Sequence, residues 1–457
     1  MGNRFTSMNT VRFNQALGKA CDFLRDSPII RESGADQFVL IRDLYGRLRL
    51  LCPTMDAAKK ADLTTAWIRA IGSSADLARP LWSDCDFFDA SALRCHPQLQ
   101  RLTIGGGATD VPFLERGVIG ADWLETSFSE HALRAGEKTP KRIVFYGLKG
   151  GVGRSTALCV AARHFAKKGL KVLVLDMDLE SPGLSGLMLP SGRLPGYGIA
   201  DWFVEDALDQ ADGTLLENMV ADSPLASDWP GIVRVVPALG REESDYIPKL
   251  ARIYAELNHA GNGDAKRESF PDRFFRMLTA LEQQERPDIV LLDSRAGLHD
   301  IAATLLVRVP DALRLLFATH SPQTWLGYRQ LFQHWQLFPA HLPLFRDGLQ
   351  IVDALMPETG KTEHLQSFLQ SAYTLFSETL YETAAPGVDE TTVFNFSESD
   401  TDAPHAAAVI AWDRKFMEFD PNDSSSPFHT DELIQSCYGS FLGCLDERLP
   451  IDEPTSP

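Results

Sequence analysis

The spacing of apolar residues changes several times along the chain. Over residues 11–24, Phe13, Leu17, Ala20 and Leu24 recur at helical spacing and predict an amphipathic helix. Residues 37–51 predict two strands around a turn near Tyr45 and Gly46. Arg42, Arg47 and Arg49 alternate there with apolar positions, which predicts a shared solvent face. A basic strip of that kind is compatible with a nucleic-acid contact, but a solvated sheet face is the simpler reading. Residues 56–102 read as helical, with Asp84, Asp86 and Asp89 in a loop. Gly105, Gly106 and Gly107 make a flexible joint, residues 121–135 a short helix, and residues 136–140 a linker. No family resemblance is recognised in residues 1–138, and their residues point to no function.

From Lys141 the pattern is different. A short strand over 142–146, apolar after Arg142, runs into a glycine-rich stretch and then a helix over 155–168, with Leu158, Ala161, Ala162 and Phe165 inward. Gly169 ends that helix, and residues 171–176 read as a buried parallel strand. Further strands are predicted over 232–237, 288–293, 312–318 and 349–354, with helices over 271–284 and 322–338. This alternation predicts an α/β fold: a doubly wound, mostly parallel sheet over residues 139–360. It is preceded by an α+β domain, residues 1–138, and followed by an acidic, mainly helical extension, residues 361–457, packed on or beside the core. Within the extension, helices are expected over 362–381 and 431–445, and strands at 393–396 and 407–410.

Composition narrows the function classes. A chain of 457 residues suggests two to four domains, and 44% hydrophobic with 23% charged residues is ordinary for a soluble globular protein. No apolar run reaches the ~18 residues of a membrane-spanning helix, and the N-terminus lacks the apolar core of a signal peptide. Gly2 followed by Thr6 fits the short myristoylation pattern, which carries little weight alone. The seven cysteines form no C-x-x-C pair and read as reduced thiols of a cytoplasmic protein. The net charge of −18 is uneven: residues 1–140 are neutral, whereas residues 362–457 hold three basic against 18 acidic residues. That acidity argues against non-specific DNA binding there, so the charge does not indicate nucleic acid as a partner. No basic amphipathic helix is present to hold the C-terminal region on an anionic membrane.

The glycine-rich stretch carries the chemistry. Lys149, Gly150, Gly151, Val152, Gly153, Arg154, Ser155 and Thr156 follow a strand and open a helix. Glycines there let the backbone approach phosphates and turn N–H groups inward. Against the pattern G-x-x-x-x-G-K-[ST], Leu148 replaces the first glycine and Arg154 the lysine. The run instead resembles the deviant Walker A loop, KGGVGK[ST][TS], of ParA/MinD-type chromosome-partitioning and septum-placement ATPases. Asp176 and Asp178 match that family's D-x-D, and the segment from Asp293 to Gly297 matches its D-x-x-x-G. The resemblance covers roughly residues 141–360. The run KGGVGR also resembles a variant subgroup, which makes Arg154 a characteristic feature.

The resemblance implies a P-loop NTPase that uses ATP and Mg²⁺. The segment from Gly150 to Thr156 would bind the nucleotide, with Ser155 on Mg²⁺, Thr156 on the α-phosphate and Asp293 on the metal through water. Asp176 would stand behind the metal, and Asp178 would orient the attacking water. Lys149 would reach across a homodimer interface to the partner's phosphates, and Gly297 would pivot a γ-phosphate-sensing switch. Arg295 either assists there or pairs with an acid such as Asp178, and the pairing is favoured. Asp353 lies where relatives read the base with an amide; ATP rather than GTP rests on the resemblance.

The function expected is a slowly hydrolysing, ATP-dependent dimerisation switch that recruits or regulates an unknown protein partner. The alternative is a hydrolysis-deficient nucleotide-binding module of a multi-component system, for example in defence, because arginine's planar fork differs from lysine's point charge. A ligase or kinase of the same superclass would need a recognisable substrate pocket. A bacterial tyrosine kinase would need a C-terminal tyrosine cluster, where only Tyr438 stands.

Overall fold

The computed structural model describes residues 10–84, 90–96, 99–104, 109–116, 123, 139–241, 245–259, 266–336, 341–382, 393–417, 419–423 and 425–450. The predicted joint at Gly105–Gly107, Asp86 and Asp89, nearly all of the 121–135 helix, and Gly2 lie outside these. The chain divides into two compact units, one built on Met1–Ser127 and one on Phe128–Gln336 with His341–Pro457.

The first unit contains α1 (Phe13–Asp26), α2 (Pro28–Ser33), β1 (Val39–Arg42), β2 (Leu48–Cys52), α3 (Ala57–Ile71), β3 (Leu81–Ser83), α4 (Ala90–Arg94), β4 (Gln100–Ile104) and β5 (Thr109–Glu115). The strands form one mixed sheet in the order β3-β2-β1-β5-β4. Leu40, Leu48, Leu50 and Phe113 bury one face against α1 and α3, where Ala16, Ala20, Leu63 and Trp67 are buried. Val39, Ile41, Leu51 and Leu114 bury the other face.

Two expectations fail here. Residues 56–102 are not helical throughout: β3 and β4 interrupt the stretch, β3 paired in parallel with β2 through Leu50 and Leu81. Three residues are too few for a two-residue period to register, so this strand exists only through its pairing. Nor do the three arginines share a solvent face. Arg42 is opposite Leu48 and Arg49 opposite Ile41, which places them on opposite faces. Arg42 Nε donates to Glu115 at 2.8 Å, Arg49 Nε donates to Asp76 at 2.7 Å, and of the three only Arg47 is exposed.

The second unit begins with β6 (Lys141–Gly147), α5 (Arg154–Lys167) and β7 (Lys171–Asp176). Then follow α6 (Leu184–Met188), α7 (Ile199–Ala207), α8 (Gly213–Glu217), β8 (Ala221–Asp222), β9 (Ile232–Val236), α9 (Tyr246–Leu250) and the hairpin β10 (Leu257–His259) and β11 (Lys266–Glu268). The rest comprises α10 (Phe270–Glu285), β12 (Ile289–Asp293), α11 (Asp300–Ala303), β13 (Ala312–Ala318), α12 (Pro322–Gln336), β14 (Leu349–Met356), α13 (Lys361–Thr379), β15 (Ala408–Ala411) and α14 (Asp431–Arg448). The sheet order is β15-β14-β13-β6-β12-β7-β9-β8, and every neighbouring pair is parallel except β8 with β9. Every residue of β12 and β13 is buried, because helices cover both faces. The fold is α/β with a mostly parallel, doubly wound sheet.

The C-terminal residues are part of this sheet. β15 extends it beyond β14, with Val352 opposite Ala408. From α14, Phe441 packs on Phe145 and Phe317 of the central strands. Asp431 takes Lys167 at 2.7 Å and also pairs with Arg163; Asp446 takes His164 and Lys168 at 2.9 and 2.6 Å, these four residues coming from α5 and the position that caps its end. Residues 393–396 are not a strand. Phe394 and Phe396 instead turn their rings onto Tyr381 in an aromatic cluster, so their alternation reflects ring packing. Among the described residues, no helix is long and apolar enough to cross a membrane.

Candidate functional site

Three strand ends meet at one point. β12 lies between β6 and β7, so its last residue, Asp293, is level with Phe145 and Asp176. The chain leaves β6 through residues 148–153 and enters α5 at Arg154. Gly151 and Gly153 both stand at φ +75°, a left-handed conformation that a side chain would strain. No side chain caps α5 at Gly153, which leaves the first-turn N–H groups and the positive end of the helix for an anion.

Arg154 folds into the sheet ends. Its side chain is 9% exposed; Nε donates to Asp293 Oδ1 at 2.7 Å and Nη2 donates to Asp178 Oδ2 at 3.0 Å. Ser155 Oγ donates to the other oxygen of Asp293 at 2.8 Å. One guanidinium thus joins the strand-end aspartate to the D-x-D loop. Burial disfavours its charge, but the two carboxylates outweigh that and hold its pKa above the ordinary value. Asp178 keeps a second oxygen, Oδ1, buried without a hydrogen-bond partner. Burial raises its pKa, with Arg154 pulling the other way.

Asp176 is fully buried and accepts the backbone N–H groups of Asp178 and Ser185, both at 3.3 Å. Burial, and then the neighbouring Asp293, push its pKa up to about 8. It therefore shapes the loop that carries Asp178 from beneath. The segment after β12 docks on β6: Gly297 N–H donates to Gly147 O at 3.1 Å, and Tyr146 Oη donates to Gly297 O at 3.2 Å. Arg295 pairs with Glu180 at 2.7 Å, so its acidic partner is Glu180 and not Asp178. Lys149 lies apart from this cluster, its Nζ donating to Gln323 Oε1 at 2.6 Å. Val152 is buried in the core behind the loop, and Gly150 is exposed.

Beside the loop lies a cavity of about 360 Å³. Gly151, Gly153 and Thr156 line one side; Ala354 and Leu355 of β14, Ile410 and Ala411 of β15, and Trp412, Asp413, Phe416, Met417 and Tyr438 line the rest. This is within the usual range for small-molecule sites, about 300–1,000 Å³. Asp353 does not line it. That residue is buried and takes His364 Nε2 at 2.9 Å; burial lifts its pKa to about 6 against the opposing pull of His364. The neighbouring Ala354 and Leu355 line the cavity instead.

The donor set suits a hard divalent cation that is shared with a ligand. Ser155 Oγ and Asp293 are adjacent oxygen donors, of the kind Mg²⁺ takes. Among the described residues, no three or more His, Cys, Asp or Glu side chains are placed to hold a metal by themselves. A cation here would need further oxygens from the ligand, as nucleotide phosphates supply.

Residues 143–320 match the sequence profile of the CobQ/CobB/MinD/ParA nucleotide binding domain. This part of the chain belongs to that family. The chain is 29% identical, over 154 residues, to an uncharacterized ATP-binding protein of Methanocaldococcus jannaschii; the match spans 33% of this chain and 57% of that protein. Among solved structures, a ParA family ATPase from Chlorobium tepidum is similar at 16% identity and TM-score 0.40, over 67% of this chain and 97% of that one. The cobyrinic acid a,c-diamide synthase of Mycobacterium smegmatis, with bound ADP and magnesium, is similar at 15% identity and TM-score 0.36, over 51% and 82%.

The nucleotide-binding domain brings together Arg154, Ser155, Asp176, Asp178 and Asp293, with Gly297 docked on the strand beside them. Sequence reasoning missed Glu180, two residues beyond the D-x-D pair, and Tyr254, whose hydroxyl donates to it at 2.5 Å. It also missed Trp412, Asp413 and Phe416. Their only signal was an aromatic cluster just beyond the predicted strand over 407–410.

Proposed function

We propose that this protein is an ATP-dependent switch. ATP with Mg²⁺ binds at the loop from Gly150 to Thr156, its base in the cavity beside Trp412 and Phe416. Ser155 and Asp293 hold the metal, which neutralises phosphate charge when bound. Asp178 orients water, and Lys149 leaves Gln323 to reach the phosphates of a second copy. The closed homodimer then offers a changed surface to a protein partner in the cytoplasm. The observation that carries this reading is the convergence of an uncapped glycine loop, Ser155, Asp178 and Asp293 at adjacent strand ends in a domain of a nucleotide-binding family.

The bond from Arg154 to Asp178 favours a second reading. A carboxylate held by a guanidinium is a poor acceptor for a water proton, so the bound state could be long-lived with hydrolysis slow or absent. Light scattering on a sizing column tests the switch: mass should double with ATP and Mg²⁺, and a mass indifferent to nucleotide refutes it. Phosphate release separates the two readings. If Lys149→Ala and Asp178→Ala both leave it unchanged, the protein is not an ATPase of this type.

A further inference from the structure

Three cations surround the loop, and they are held very differently. Arg154 is buried between two carboxylates. Lys149 rests on a neutral amide at the protein surface. Arg295 is 31% exposed and, among the described residues, makes a single ion pair, Nη1 to Glu180 Oε1 at 2.7 Å. Guanidinium and carboxylate usually meet through two parallel hydrogen bonds. Here the second oxygen, Glu180 Oε2, is buried with no partner, so the contact is one-sided and the rest of the guanidinium fork is uncommitted.

Glu180 Oε1 is shared. Tyr254 Oη donates to it at 2.5 Å and His299 Nε2 lies 3.6 Å away. The Tyr254 ring packs against His299 at 5.4 Å, and Tyr246 Oη donates to Leu179 O at 2.5 Å. Glu180 therefore joins three segments: the loop after Asp178, the switch segment of Arg295 and Gly297, and the outer segment containing Tyr246 and Tyr254. Arg295 is four residues before His299 and two before Gly297, whose N–H is bonded to the end of β6 where the glycine loop starts.

We infer that Arg295 and Glu180 form a phosphate-responsive latch. In this structure the guanidinium is parked on Glu180. When a nucleotide with a terminal phosphate binds, the uncommitted fork moves onto that phosphate, where charge-assisted hydrogen bonds replace a lone ion pair. Glu180 loses its cation, its hold on Tyr254 changes, and the outer segment registers which nucleotide is bound. Glu180 is a positioning residue that sets the availability of Arg295, and Tyr254 positions Glu180. The latch rests on the proposed nucleotide reading.

Calorimetric affinities for ADP and for a non-hydrolysable ATP analogue, each with Mg²⁺, test the latch. Charge-assisted hydrogen bonds give the scale: Arg295→Ala should weaken the analogue about tenfold and leave ADP within about twofold. Arg295→Lys should recover part of the loss. Glu180→Gln removes the competing charge and should tighten the analogue about fivefold without moving ADP. A role confined to folding would weaken both nucleotides together. The latch is overturned if the analogue-to-ADP ratio is unchanged in Arg295→Ala and Glu180→Gln, or if both ligands weaken equally. Should Glu180→Gln not fold, Tyr254→Phe is expected to raise the ratio in the same direction by less, and an unchanged ratio there counts equally against the latch. A wild-type chain that binds neither ligand removes the nucleotide reading and the latch with it. One that binds both with an unresponsive ratio removes the latch alone.

Discussion

Replacing Arg154 with Met should turn the centre of the site into a cluster of uncompensated carboxylates. The guanidinium is 9% exposed, Asp293 1% and Asp178 12% by side chain. Removing one partner of a buried ion pair costs about 3–5 kcal/mol, because the remaining charge stays buried. The Asp293 pair falls in that range, and the Asp178 pair, nearer the opening, adds less. A loss of about 4 kcal/mol at pH 8 is expected, a large part of the roughly 5–15 kcal/mol that holds a domain together. The pH dependence gives an independent sign. Without the cation, the folded pKa of Asp178, already raised by burial, rises further above the unfolded value of about 3.9. The folded state then binds more protons than the unfolded state above about pH 4, so the penalty is absent below that window and grows as pH rises through it. Urea unfolding of wild type, Arg154→Met and Arg154→Lys at pH 5 and pH 8, followed by tryptophan fluorescence, measures both effects. Lysine should recover part of the loss, since a single ammonium cannot span both carboxylates as the fork does. A loss below about 1 kcal/mol at pH 8, against the 3–5 expected for a buried pair, would refute the argument. So would a penalty larger at pH 5 than at pH 8.

Two further outcomes are expected. Asp176 has a folded pKa of about 8, raised by burial; an acid raised in this way contributes full stability below the unfolded pKa of about 3.9 and loses it as pH climbs to about 8. Asp176→Asn should remove that decline, so that wild-type stability falls more steeply between pH 5 and 8, by at most about 1.4 kcal/mol per unit; parallel unfolding curves would contradict it. Trp412→Ala should lower ATP affinity about tenfold without changing oligomer mass in the absence of nucleotide, since stacking a base on an aromatic ring is worth about 1–3 kcal/mol; an unchanged calorimetric Kd would place the base elsewhere.

The βαβ unit around the loop was legible because local rules agree there. An apolar run too short for a helix, glycines at positive φ and a terminating Gly169 place β6, α5 and β7 to within a residue of expectation. Local rules conflicted elsewhere. β3 is three residues long and exists only by pairing with β2, and the alternation over 393–396 serves an aromatic cluster around Tyr381. The arginine strip failed because a two-residue period assigns faces along one strand but does not say which face of the next strand lies opposite, and Arg42 and Arg49 are on different strands.

The same division runs through the site. By itself the sequence determined that Gly150 to Gly153 form a loop between strand and helix, with Arg154 to Thr156 opening the helix, and that Asp176, Asp178 and Asp293 stand at or just beyond strand ends, since these depend on residue type and spacing over a few positions. Only the tertiary structure decided what those groups bind. Arg154 meets Asp293 across 139 positions of chain, Arg295 finds Glu180 rather than Asp178, and the wall opposite Thr156 comes from β14, β15 and the segment after it. Such partners follow from which strands are neighbours. That order is set by burying both faces of the whole sheet at once, a property no short window of the chain contains.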